Sequence, residues 1–148
     1  MIEDFQLNNN FSHDLKIQKI RERAIAEMLA NEPIEVKTEM GKWKKTGNIA
    51  IEVEWNGKPS GLYKTESTLW WHTLEIDGHP ILHLVFPVQL LKFIITKMQK
   101  NGTLKEIMGG DYKLSKIFLL PLSELFNKEN SAALINITKK NESQGVLI

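Results

Sequence analysis

Carboxylates and lysines alternate along two neighbouring stretches of the chain. In the first, Glu35, Lys37 and Glu39 alternate with Ile34, Val36 and Thr38; in the second, Glu52 and Glu54 alternate with Ile49, Ile51, Val53 and Trp55. A period of two marks a β-strand, in which successive side chains leave on opposite faces. If the two strands pair antiparallel with their apolar faces buried on one side, Glu35, Lys37, Glu39, Glu52 and Glu54 must all emerge together on the other. One register sets Glu39 across from Glu52 and Lys37 across from Glu54, and parity alone admits others. Facing carboxylates repel unless a cation lies between them. The pattern therefore suits a hard divalent ion, Mg2+ or Mn2+, which takes oxygen ligands and keeps waters, one of which can act as a nucleophile. A lysine on the same face could orient that water or balance charge developing on a phosphate. The plainer reading is the solvated face of a half-buried sheet, crossed by ordinary Glu–Lys pairs.

The neighbourhood favours chemistry. Lys42, Lys44, Lys45, Lys58 and Lys64 lie around these carboxylates, so that between Glu35 and Glu66 six lysines accompany five glutamates. An acidic site with a basic rim suits a phosphodiester substrate such as DNA, whose flanking backbone the lysines would hold. Trp43, set between Lys42 and Lys44, could stack on a base or simply anchor the loop. His72, His79 and His83 on two adjacent strands invite a zinc site, but with only Glu75 and Asp77 beside them partly buried or surface histidines fit better.

The 148 residues, 42% hydrophobic and 25% charged, are those of one ordinary domain able to bury a core. Cysteine is absent, which excludes disulfides, thiolate catalysis and Cys-based metal centres and leaves oxygen ligands as the natural donors. The 19 basic and 18 acidic residues nearly cancel, so contact with a polyanion must be made by local patches. Met1 to Asn10 is polar and acidic and lacks the basic start and apolar run of a signal peptide. The most apolar stretch, Ile81 to Ile95, is interrupted by His83, Pro87, Gln89 and Lys92 and falls short of the roughly 20 residues of a membrane span. A soluble intracellular protein with no membrane contact is expected.

The elements that must position these residues follow from periodicity and turn chemistry. Asp14 to Leu29 reads as an amphipathic helix through Ile17, Ile20, Ala24, Ile25, Met28 and Leu29, with Gln18 and Glu22 one turn apart on its flank. Met40 to Gly47 is a basic connection. Asn56 to Gly61 is a turn, after which Thr65 could cap a short helix running into the core residues Trp70 and Trp71. Asp77-Gly78 joins two strands, His72–Ile76 and Ile81–Phe86, in a hairpin. Pro87 opens a helix, Val88 to Lys100, whose core face is Leu90, Leu91, Ile94, Ile95 and Met98 and which Asn101-Gly102 ends. A last strand, Lys116 to Leu120, and a short helix, Ser123 to Phe126, complete a single domain of residues 1–127. Residues 128–148 form a polar, loosely held tail.

The run Glu35-Val36-Lys37-Thr38-Glu39, then Thr46-Gly47-Asn48-Ile49-Ala50-Ile51-Glu52-Val53-Glu54 and Gly57-Lys58-Pro59-Ser60-Gly61, resembles a family of small bacteriophage proteins related to PD-(D/E)xK nucleases. Gln18 and Glu22 on the first helix, Gly109-Gly110-Asp111, and Leu119 to Leu125 are similar to further motifs of that family, and the resemblance covers about Asp14 to Leu125. It implies a restriction endonuclease-like α/β (α+β) fold, a central mixed sheet flanked by helices. It further implies an Mg2+- or Mn2+-dependent deoxyribonuclease in the cytoplasm of a bacterial host. Two assignments follow. In the preferred one Glu39 and Glu52 hold the metal, Glu54 stands where a lysine is usual and assists, and Lys37 is a migrated lysine; under either, Glu22 from the first helix reaches the metal or its water. In the other, Glu35-Val36-Lys37 is itself the acid-x-lysine pair and the second acid comes from the Glu52 strand. Cutting both strands of a duplex would call for two copies, a homodimer. The departures at Glu39 and Glu54 also admit a catalytically inactive DNA-binding or phage-assembly module, and a host-interaction protein is a third reading.

Overall fold

The computed structural model describes residues 11–145, so the polar start Met1 to Asn10 and the last three residues of the expected tail lie outside it. The described residues divide into two compact units, one ending at Glu32 and the other beginning at Pro33. The first unit is helix α1, Phe11–Asn31, in the place where apolar spacing predicts it. Among the described residues, no helix is long and apolar enough to cross a membrane.

The second unit has an α+β fold with two sheets flanked by helices. Its strands are β1 (Ile34–Met40), β2 (Asn48–Trp55), β3 (Lys58–Pro59), β4 (Leu69–Ile76), β5 (His79–Pro87), β6 (Lys105–Gly109) and β7 (Ser115–Pro121). Helices α2 (Trp43–Thr46), α3 (Val88–Lys100), α4 (Leu122–Leu125) and α5 (Lys128–Ser143) connect or flank them. One sheet is mixed, in the order β1-β4-β5, and the other is antiparallel, in the order β3-β2-β7-β6. Ile49, Ile51 and Val53 of β2 meet Trp70 and Leu74 of β4 and the inner face of α3 in one core. That α3 face is Leu90, Leu91, Ile94, Ile95 and Met98, as its spacing requires, and each such burial contributes roughly 1.5–3 kcal/mol.

Local signals place the turns. Asp77 and Gly78 both have positive φ, 52° and 76°, the conformation of a two-residue hairpin loop, and Asn56 and Gly57 join β2 to β3 in the same way. Four expectations give way to tertiary context. β1 does not pair with β2; it runs parallel to β4, with Lys37 beside His72, while β7 occupies the length of β2. Trp70 and Trp71 belong to β4, and the helix expected ahead of them is replaced by a single 3-10 turn at Gly61–Tyr63. Lys105–Gly109, unassigned from sequence, forms the edge strand β6 against β7. The supposed loose tail holds α5, whose start is capped by the Asn127 side chain accepting from the backbone N–H groups of Glu129 and Asn130.

The parity of β1 is also inverted. Val36 and Met40 face solvent, 62% and 74% exposed, while Glu35, Lys37 and Glu39 lie on the half-buried side. Pairing with β4 explains this, because residues side by side in a ladder share a face, and Glu35, Lys37 and Glu39 stand beside Trp70, His72 and Leu74. Charges tolerate that face because each finds a partner there.

Candidate functional site

An open cleft of about 700 Å³ lies between β1 and the segment that follows β3. Pro33, Glu35 and Lys37 form one wall; Ser60, Gly61, Lys64, Thr65, Glu66 and Ser67 form the other. Glu35 and Lys37, two residues apart on one strand face, make an ion pair at 2.7 Å, and the Thr65 hydroxyl donates to the second Glu35 oxygen at 3.1 Å. Lys64 stands opposite with no carboxylate partner among the described residues.

Glu52 lies behind the Ser60–Gly61 wall. Ser60 Oγ donates a short hydrogen bond to Glu52 Oε1, and Ser115 Oγ donates to Oε2 at 2.9 Å. The wall can approach so closely because residue 61 is glycine: a Cβ there would collide with the Glu52 carbonyl oxygen, and its φ of +47° favours glycine as well. Gly110 serves the same arrangement from the other side, since a Cβ would come within 3.0 Å of Ser115 Oγ.

Glu39 and Glu54 stand elsewhere. Glu39 Oε2 accepts the Ala50 backbone N–H at 2.9 Å and lies 3.3 Å from His72 Nε2, so its carboxylate ties β1 to both β2 and β4. The expected register, Glu39 across from Glu52, is therefore corrected: β1 meets β2 through this side chain, not through a ladder. A bulge between Glu52 and Glu54 turns those two carboxylates to opposite faces of β2. Glu52 meets Ser115 while Glu54 meets the next residue of β7, Lys116, at 3.3 Å. Strict alternation, and with it a single face for all five charged residues, is thereby lost. Glu54, with help from Glu106, holds the Lys116 ammonium above its ordinary pKa. Ser115 and Lys116 carried no sequence signal, because their roles depend on which strand lies beside β2.

Of the basic rim, Lys64 lines the cleft. Lys42 and Lys45 line a separate hollow of about 420 Å³ with Met40, Gly41, Glu75, Asp77 and Gly78. Lys44 and Lys58 are exposed. Trp43 is an anchor: its indole N–H donates to the Glu75 carbonyl at 2.8 Å and its ring packs on the core. Glu22 is an exposed residue of α1 in the first unit. His72 and His83 are engaged by Trp70, Trp71 and Thr73. Among the described residues, no three His, Asp or Glu side chains converge as a metal cage. No family model, curated protein or solved structure matches this chain.

Proposed function

We propose that the protein is a divalent-metal-dependent deoxyribonuclease of the restriction endonuclease-like class, working in the Glu35–Lys37 cleft. The observation that carries this reading is the acid-x-lysine pair of β1, displayed into an open cleft with Lys64 on its far wall and Glu52 fixed behind it. This is the arrangement in which Glu35-Val36-Lys37 supplies the pair and β2 supplies the second acid. The mixed sheet flanked by helices is compatible with such a fold.

Glu35 and Glu52 would be the oxygen donors for Mg2+ or Mn2+. Mg2+ is ordinarily held by one or two carboxylates together with waters and substrate phosphate, so two donors fit it without a larger cage. When bound, the ion would polarise the phosphodiester and acidify a bound water. Lys37, beside Glu35 on the same strand face, would orient the nucleophilic water or a phosphate oxygen. Lys64 holds the scissile phosphate or its neighbour from the other wall. Thr65, Ser60 and Ser115 keep the two carboxylates in place by donating hydroxyl hydrogen bonds to them.

Incubation of the purified protein with supercoiled, linear, single-stranded and branched DNA, with Mg2+, Mn2+ or EDTA, tests the reading. Cleavage should require the metal and fall at least about 100-fold in Glu35→Gln and in Lys37→Ala. Absence of metal-dependent cleavage on all four substrates would overturn it. One observation favours a second reading, a DNA-binding module without catalysis: Glu35, Glu39 and Glu52 are each already satisfied by protein partners. That module would bind DNA with equal strength in Mg2+ and in EDTA.

A further inference from the structure

The chain has four tryptophans, and three are pinned by their indole N–H groups. Trp43 donates to the Glu75 carbonyl, Trp70 to His72 Nδ1, and Trp71 to Thr73 and His83. The Trp55 indole N–H makes no hydrogen bond among the described residues, and the residue is 52% exposed at the end of β2. Half-exposed tryptophan is uncommon, since burying so large a ring is strongly favourable.

The bulge in β2 decides which way this ring faces. Glu52 pairs with Ile117 and Trp55 with Ser115, and Ile117 and Ser115 share one face of β7. Without the bulge, residues three apart on a strand would face opposite ways; with it, Trp55 returns to the face that carries Glu52. Directly across the hairpin from Trp55 is Lys58, and cross-strand partners share a face. After Pro59 come Ser60 and Gly61, which belong to the cleft wall. A half-exposed indole and an exposed lysine therefore share one face of the β2–β3 hairpin, the face that carries Glu52, with Lys58 two residues ahead of Ser60 in the cleft wall.

We propose that Trp55 and Lys58 form a binding site for an unpaired nucleotide of single-stranded DNA, the base stacking on the indole and Lys58 contacting the adjoining phosphate. A base presents its π-face to a side chain only when it is unstacked from its neighbours, so this site selects single strands, or unpaired ends and flaps, over continuous duplex. The inference rests on the cleft being a phosphodiester site, and it names the substrate form that site receives.

The test uses the full chain in EDTA, so that binding is read without cleavage. Fluorescence anisotropy with a labelled oligothymidylate and with a duplex of equal length should show tighter binding to the single strand. Trp55→Ala should weaken single-strand binding about 5- to 100-fold and leave duplex binding nearly unchanged, while Trp55→Phe keeps most of the affinity. Lys58→Ala should lower the salt dependence of single-strand binding by about 0.7 in log–log slope. Thermal melting checks that the variants remain folded, and Trp55→Phe, which keeps an aromatic ring, separates loss of the stacking surface from loss of packing. Duplex preference, or a Trp55→Ala protein that binds the single strand like the parent, overturns the proposal. A parent that binds single strands through Trp55 but cuts nothing with Mg2+ or Mn2+ would instead sink the nuclease reading and leave this site standing.

Discussion

At the scale of single residues, Glu39 shows how a carboxylate that looks like a metal ligand can be a structural one. An indole nitrogen only donates, so the 3.1 Å contact from Trp70 makes His72 Nδ1 the acceptor and places a ring proton on Nε2, facing Glu39. His72 is 1% exposed, and Ala50 offers its backbone N–H to the same carboxylate oxygen. Removing the acceptor strands both donors. Glu39→Ala should therefore cost about 1–3 kcal/mol for each unsatisfied donor, read by urea denaturation, while Glu39→Gln, which keeps a carbonyl oxygen, should cost less. A Glu39→Ala protein of parental stability that had lost cleavage would restore Glu39 to the metal site. The acidic residues were legible in the sequence; which of them would be consumed by a buried histidine was not, because His72 lies 33 residues away in the chain.

Elements were legible where their signals were local. Helix α3 carries its whole apolar face and its stop within 15 residues, from Val88 to Gly102, and the β4–β5 hairpin is written in two, Asp77 and Gly78. Helix α5 was hidden by its polar composition, yet Asn127 was a readable start. Asn127→Ala should lower stability by about 1 kcal/mol, seen as a shift of the urea midpoint, because two N–H groups at the start of α5 lose their acceptor. The cleft wall depends on a different kind of element, the close crossing of Gly61 over β2. Gly61→Ala combines a positive φ with a collision against the Glu52 backbone and should cost about 1–3 kcal/mol or more. If the cleft is the proposed phosphodiester site, Gly61→Ala should also weaken DNA binding, since the wall that carries Ser60 and Lys64 must move.

Across the second unit, helices α3, α4 and α5 are tied by one polar knot. Lys97 Nζ lies 2.9 Å from a Glu124 oxygen and 2.6 Å from Asn130 Oδ1, and the buried Asn130 amide donates to the Glu124 side chain and carbonyl, both at 2.8 Å. The Lys97 hydrogen bond, and then that of Asn130, hold the Glu124 carboxyl below its ordinary value of 4.5. A depressed carboxylate pKa contributes stability that is present above the ordinary value and lost as pH falls through the folded one. Urea midpoints should therefore drop as pH falls below 4.5, and Lys97→Met should flatten that acid limb while lowering the plateau above it. An unchanged acid limb in Lys97→Met would show that other carboxylates govern it.

The sequence by itself determined the elements whose information is contiguous: α1, α3, the strand character of β1 and β2, and the two-residue turns. It also determined that acids and lysines would be concentrated between Glu35 and Glu66. Only the tertiary structure decided how they are sorted. Pairing β1 with β4 turned its charged residues inward, the bulge in β2 sent Glu52 and Glu54 to opposite faces, and the crossing at Gly61 brought Glu52 behind the cleft. The physical reason is that alternation specifies two faces but not which is buried. When half-buried charges find hydroxyls, a histidine and each other, the choice of strand partner, made far along the chain, outweighs the local apolar pattern.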